Sequence, residues 1–123
     1  QRIVFVGDTI VPNAPPFLAN ADIPAWKETL RVLLSPKYKE YTIISGRGGV
    51  VDHNTAKEQL KFLEKVENQL VKLYEKRDLL TEYEKSAHTL LKGFDHAADL
   101  EFHYLTRLNW GLQQYMKLHP NLE

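Results

Sequence analysis

The stretch IVFVGDT at residues 3–9 decides the fold prediction. Its four consecutive apolar residues are typical of a short strand that is buried on both faces. Asp8 follows where Gly7 ends that pattern. An acidic residue at the carboxyl end of a central strand points into the cleft where α/β proteins bind ligands. An aspartate there is more commonly a turn residue that bonds to its own backbone, so Asp8 by itself leaves both interpretations open.

A second strand is predicted at residues 41–44, YTII, because this segment is rich in β-branched side chains. Asp22 can cap a helix between the two strands, and Pro24 suits its first turn, where a missing N–H costs no hydrogen bond. The Ser-Pro pair at residues 35–36 ends that helix. A strand, a helix and a second strand in this order predict a β-α-β crossover within one sheet.

The second strand leads into SGRGG at residues 45–49, where glycines flank one long side chain, Arg47. Three glycines permit a backbone that passes close to another group while it presents that side chain. The simpler interpretation is a strand-to-helix loop with Arg47 in solvent. A phosphate-binding loop is disfavoured because the lysine and the hydroxyl residue that should follow the glycines are missing.

The second half of the chain has a helical pattern. Capping boxes at residues 55–58 (TAKE) and 81–84 (TEYE) predict two helix starts. Apolar stripes continue the first helix to about Arg77 and the second toward Gly93, which can act as its C-terminal cap. A last helix is predicted at residues 98–117.

The composition shift near Asn54 divides the chain into a β-α-β half, residues 1–54, and a helical part packed on it, residues 55–123. The fold class predicted from these patterns is α/β, or more broadly α+β.

The overall composition excludes some classes of partner. Sixteen basic residues balance sixteen acidic ones, so no net field favours nucleic acid or an anionic membrane. The sequence has no cysteine, which fits a reducing compartment, and we expect a cytoplasmic protein. The longest apolar runs are far too short to span a bilayer.

The ordered set of these features resembles the metallo-β-lactamase fold superfamily. It comprises a strand ending in GDT, a Pro-rich loop, a Trp- and Leu-bearing helix and a strand ending in a Gly-x-Gly turn. In that family the strand ends read GDT or GDx and PGHG, and VVD at residues 50–52 is similar to the segment after PGHG. The likeness covers about residues 2–75, and the later helices resemble a C-terminal extension. It implies part of an αββα sandwich, with a cleft where zinc, iron or manganese activates water for hydrolysis.

By this resemblance Asp8 matches the carboxylate that bridges two metal ions, and position 47 matches the last metal-binding histidine. Arg47 cannot bind a metal, because its guanidinium is a permanent cation with no lone pair to offer. The resemblance therefore implies one metal ligand in this chain, Asp8, and no catalytic residue. Arg47 is expected to bind an anionic group of the substrate or to pair with Asp8.

The predicted function is that of a C-terminal half of a metal-dependent hydrolase, because the family's His-x-His-x-Asp-His run is absent and because Gln1 leads directly into a strand. The longer parent would use zinc, iron or manganese on an unidentified small molecule, and whether this chain alone binds a metal stays open. The isolated chain is expected to be inactive. We also expect it to self-associate, or to pair with the missing half, because half a sandwich leaves strand edges open. The alternative is a non-catalytic binding or assembly module with a degenerate metal site.

Four other residues belong to types that bind metals. His53 could replace the lost ligand at position 47, although a role near the helix start is the simpler interpretation. His96, Asp99 and His103 would share one face if the last helix begins early enough. A solvated face is the simpler interpretation there, because no fourth ligand is evident.

Overall fold

The structure is a computed structural model that describes residues 2–12, 14–76, 80–94 and 96–120. In those residues the chain has the predicted α+β class, with four α-helices and one small sheet. Its elements are β1 (Ile3–Gly7), α1 (Ile23–Leu33), β2 (Thr42–Ser45), β3 (Gly49–Val51), α2 (His53–Glu75), α3 (Leu80–Leu91) and α4 (Glu101–Leu118), with 3-10 turns at Pro36–Tyr38 and Ala98–Leu100. None of the described helices combines the length and apolar character needed to cross a membrane.

The chain divides into two compact units. Unit 1 comprises residues 1–12 and 22–64, and unit 2 comprises residues 13–21 and 65–123. The division falls inside α2, so this helix contributes its first half to unit 1 and its second half to unit 2.

The sheet of unit 1 has the order β1-β2-β3, with β1 and β2 parallel and β2 and β3 antiparallel. The predicted β-α-β crossover through α1 is therefore confirmed. The sequence did not predict β3. The strand-to-helix interpretation of residues 45–49 is wrong, because β2 ends at Ser45, β3 begins at Gly49 and residues 46–48 form the turn of this hairpin. Gly49 begins β3 with φ +69°, a backbone angle that residues other than glycine rarely adopt.

The prediction that β1 is buried on both faces is wrong, because its residues alternate between exposed and half-buried and none is fully buried. β1 is also an edge strand of the sheet. The pairing register places Phe5, Ile44 and Val50 in one row across the sheet, and the next row, one residue along, is on the opposite face. Ile43, in the centre of that opposite row, is fully buried, whereas Phe5 is 76% exposed and Val50 70%. The apolar run at residues 3–6 therefore predicted the strand correctly, but one face of the sheet in which it lies is apolar and open to solvent.

Helix α1 begins and ends as the sequence predicts. Asp22 caps it, with Oδ1 accepting from the Ala25 N–H at 3.1 Å, and Pro24 lies in the first turn. Its apolar stripe buries Leu30 and Leu33. The helix ends before the Ser-Pro pair, where a 3-10 turn follows.

The predicted capping residue of α2 is wrong by one turn. Asp52 caps the helix, because its Oδ1 accepts from the Thr55 backbone N–H at 2.8 Å and from the Thr55 hydroxyl at 2.9 Å. Thr55 therefore lies inside the helix, which starts at His53. The expected end near Arg77 lies outside the described residues, and α2 is described to Glu75. The apolar stripe predicted along this helix is buried at Ala56, Leu63, Val66, Leu70 and Leu73, whereas its remaining member, Leu60, is half-buried.

The helices of unit 2 match the prediction closely. The last helix is the 3-10 turn followed by α4, and its Leu108, Leu112 and Tyr115 are buried. Helix α3 begins at Leu80, so Thr81 lies inside it and the capping role predicted for Thr81 is wrong. The helix ends two residues before Gly93, which is not among the described glycines with left-handed backbone and so is no left-handed cap.

Candidate functional site

The parallel pairing of β1 and β2 brings their carboxyl ends to the same edge of the sheet. Asp8 follows β1 directly, and Arg47 lies two residues beyond the end of β2. The topology therefore places both sequence-predicted site residues together, although they are far apart in the chain.

Asp8 and Arg47 form an ion pair, with Arg47 Nε 3.3 Å from Asp8 Oδ1. The Asp8 side chain is 67% exposed and that of Arg47 58%. Water screens a pair this exposed, so its contribution to stability is at most about 1 kcal/mol. The distance is also longer than the roughly 2.8 Å of a strong charge-assisted bond. The structure thus shows Arg47 paired with Asp8, which is one of its two expected roles.

The loop that carries Asp8 begins with a tight turn. The Thr9 N–H donates to the Val6 carbonyl at 3.0 Å, and Gly7 in this turn has φ +56°. Asp8 thus lies in a backbone turn. The turn interpretation expected its carboxylate to bond to its own backbone, but the bond that the structure shows comes from Arg47 Nε. The turn ends the strand and leaves the carboxylate at the sheet edge.

Three side chains from different elements hold successive peptide groups of the same loop. Trp26 Nε1 of α1 donates to the Thr9 carbonyl at 2.7 Å, and Ser45 Oγ of β2 donates to the Ile10 carbonyl at 2.7 Å. Gln59 Oε1 of α2 accepts from the Val11 N–H at 3.3 Å. These contacts fix the backbone beyond Asp8, residues 9–11, to the rest of unit 1.

The glycines of the hairpin turn permit the close backbone approach that the sequence predicted. Gly46 N–H donates to the Gly7 carbonyl at 2.8 Å, and a Cβ at Gly46 would come within 3.3 Å of the Gly7 backbone. A Cβ at Gly48 would overlap the ring of Pro12. The group that these glycines approach is therefore the Asp8 loop of the protein itself.

In the part of the chain that the structure describes, the other side chains of metal-binding types do not come together as a site. Among the described residues, no three His, Cys, Asp or Glu side chains are grouped so that they could hold a metal ion. His53 Nε2 lies 2.9 Å from the Tyr38 carbonyl oxygen. A carbonyl oxygen only accepts, so this nitrogen carries the hydrogen and cannot also bind a metal.

His96 precedes the last helix and Asp99 lies in its 3-10 turn, whereas His103 lies in α4. The three residues therefore do not share one α-helical face, as the prediction required. The ring nitrogens of His96 lie 3.0 Å from the Phe94 carbonyl and 3.4 Å from Glu101 Oε1. Both ring nitrogens of His96 thus have contacts within unit 2.

Sequence reasoning missed the three anchors of the Asp8 loop: Trp26, Ser45 and Gln59. Only Gln59 left a signal, since it is a polar residue within the buried stripe of α2. Buried polar side chains usually have a hydrogen-bond partner. Its Oε1 has one in Val11, whereas its Nε2 has none among the described residues.

Comparisons of the chain with known protein families, with curated proteins and with solved structures found no match. The likeness to the metallo-β-lactamase superfamily therefore rests on the sequence motifs.

Proposed function

We propose that this chain is the carboxyl-terminal half of an αββα domain of the metallo-β-lactamase type, and that the complete domain is a metal-dependent hydrolase. The observation that carries the proposal is that Asp8 and Arg47 lie together, exposed, at the carboxyl edge of a parallel strand pair. That edge is where α/β proteins bind ligands. The apolar row in which Phe5 and Val50 are exposed on either side of the half-buried Ile44 supports a second layer over the sheet, as in a sandwich.

The donor set limits what this chain can do alone. Asp8 offers one carboxylate, and the cation at position 47 repels a metal rather than binding it. A zinc, iron or manganese ion would need ligands besides Asp8, and once bound it would supply an activated water. In that complete site Asp8 contributes a ligand, and Arg47 binds a carboxylate or phosphate of a small-molecule substrate.

The alternative function is a binding or assembly module whose metal site is degenerate. The observation that favours it is the Asp8–Arg47 pair itself, at 3.3 Å. Here the guanidinium stands where a metal would approach the carboxylate and neutralises its charge. A cytoplasmic location stays a prediction under either proposal.

The two proposals predict different metal contents for the natural gene product that contains this sequence. The hydrolase proposal predicts purified protein with bound zinc, iron or manganese, and loss of much of that metal in Asp8→Asn, which keeps the shape of the side chain but removes its charge. Arg47→Ala is the matched control and should keep the metal. A metal-free product, or an Asp8→Asn variant with unchanged metal content, would reject the hydrolase proposal. Metal uptake by Arg47→His in a metal-free product would support the degenerate site.

A further inference from the structure

Ser45 is the last residue of β2, and its side chain lies between the two loops of the candidate site. Its hydroxyl donates to the Ile10 carbonyl at 2.7 Å and accepts from the Arg47 backbone N–H at 3.1 Å. The residue is only 4% exposed, so water does not compete freely for these bonds. One oxygen atom thus joins the Asp8 loop to the Arg47 turn.

The two bonds fall close to the charged residues. Ile10 lies two residues after Asp8, and Arg47 is itself the residue whose amide Ser45 binds. The backbone adds a further link, because the Gly46 N–H donates to the Gly7 carbonyl. The distance between Asp8 and Arg47 is therefore set largely by the backbone on either side of Ser45.

The ion pair is too exposed to fix this geometry by itself, since a screened surface pair gains little over two free side chains. We infer that Ser45 is a positioning residue that holds the Asp8 loop and the Arg47 turn in register, so that the carboxylate and the guanidinium meet. Its importance for chemistry rests on the proposed function. The test of this positioning role is independent of the proposed function, because a metal-free protein with the same Ser45 bonds would still confirm the role.

The test uses ¹⁵N NMR of the 123-residue chain and compares Ser45→Ala with Ser86→Ala. Both serines are 4% exposed and both donate a side-chain hydrogen bond, but Ser86 bonds to Gln69 in unit 2. We expect Ser45→Ala to speed hydrogen exchange of the Arg47 amide by roughly fivefold, the factor that matches one ordinary hydrogen bond. We also expect it to move the Arg47 Nε–H resonance toward that of a free arginine. Ser86→Ala should leave both signals unchanged.

Ser45→Thr keeps the hydroxyl and should restore the wild-type Nε–H resonance. If Ser45→Ala alters the Arg47 signals no more than Ser86→Ala does, the inference fails. If Ser45→Ala does not fold, hydrogen exchange of the Arg47 amide in the wild-type chain still tests the inference. An Arg47 amide that exchanges at the rate of an unfolded chain would overturn the inference, and a protected amide together with a wild-type Nε–H signal in Ser45→Thr would support it.

Discussion

Trp26 Nε1 donates a 2.7 Å hydrogen bond to the Thr9 carbonyl, so helix α1 holds the loop that follows β1. This relationship ties the crossover helix to the candidate site. Trp26 is half-buried, and the carbonyl that accepts its hydrogen bond belongs to the residue directly after Asp8. Removing the donor should therefore affect both stability and the site.

Trp26→Phe should lower the free energy of unfolding by about 1–3 kcal/mol, because it leaves the Thr9 carbonyl without its indole donor. Urea unfolding followed by circular dichroism measures the change. Trp110→Phe is the matched control, since Trp110 is about half exposed and keeps its aromatic stack on Phe17 as phenylalanine. Equal destabilisation by the two substitutions would show that the indole bond of Trp26 contributes nothing specific.

Gly48→Ala should be destabilising by about 1–3 kcal/mol, because the added methyl group would overlap the Pro12 ring and push the turn away from the Asp8 loop. Gly93→Ala is the control. A Cβ there would meet its nearest heavy atoms at 3.7 and 3.8 Å, which is ordinary contact. The urea midpoint of each variant measures the effect, and an unchanged midpoint for Gly48→Ala would contradict the close contact with Pro12.

Asp52 makes the stability of α2 depend on pH. Hydrogen bonds from the Thr55 backbone N–H and then from its hydroxyl lower the pKa of the Asp52 carboxyl below its usual range. A group whose folded pKa is depressed stabilises the protein above its unfolded pKa, about 3.9, and loses that contribution as the pH falls through the lower folded value.

The wild-type melting temperature should therefore fall more steeply below about pH 4 than that of Asp52→Asn. Asparagine keeps an oxygen that can cap the helix but does not titrate. Thermal unfolding by circular dichroism across this range provides the comparison. Parallel pH profiles for the two proteins would mean that the Asp52 carboxylate is not the titrating cap.

The sequence predicted the part of the site that topology determines. Asp22, Pro24 and the Ser-Pro pair define the crossover helix, and a crossover makes the strands parallel, so Asp8 and Arg47 had to meet at one edge. It did not predict β3, because a strand of three residues that begins with a glycine is too short to show a period.

The anchors of the Asp8 loop were also out of reach of sequence reasoning. Trp26 and Ser45 bond to the carbonyls of Thr9 and Ile10. Every residue has a backbone carbonyl, so nothing in the sequence shows to which carbonyl a given side chain will donate a hydrogen bond. The capping error at α2 has a similar origin, since Asp52 and Thr55 are both good caps and only the backbone path selects between them.

The exposed apolar row of the sheet predicts self-association of the 123-residue chain. Phe5 and Val50 are largely solvent-exposed, and β1 has an open edge, a combination that favours pairing with another sheet or strand. Sedimentation velocity over a rising concentration series should show species larger than a monomer. The double variant Phe5→Thr/Val50→Thr places a β-branched but polar residue at both positions and should shift the distribution toward monomer.

Val32→Thr is the matched control, because Val32 is an exposed apolar residue of α1 rather than of the sheet. It should associate like the wild type, since one threonine on a helix leaves the sheet row intact. If the wild type stays monomeric at high concentration, the sheet face does not drive association. If Val32→Thr reduces association as much as the double variant, general surface hydrophobicity is the cause and the row formed by Phe5, Ile44 and Val50 is not the interface.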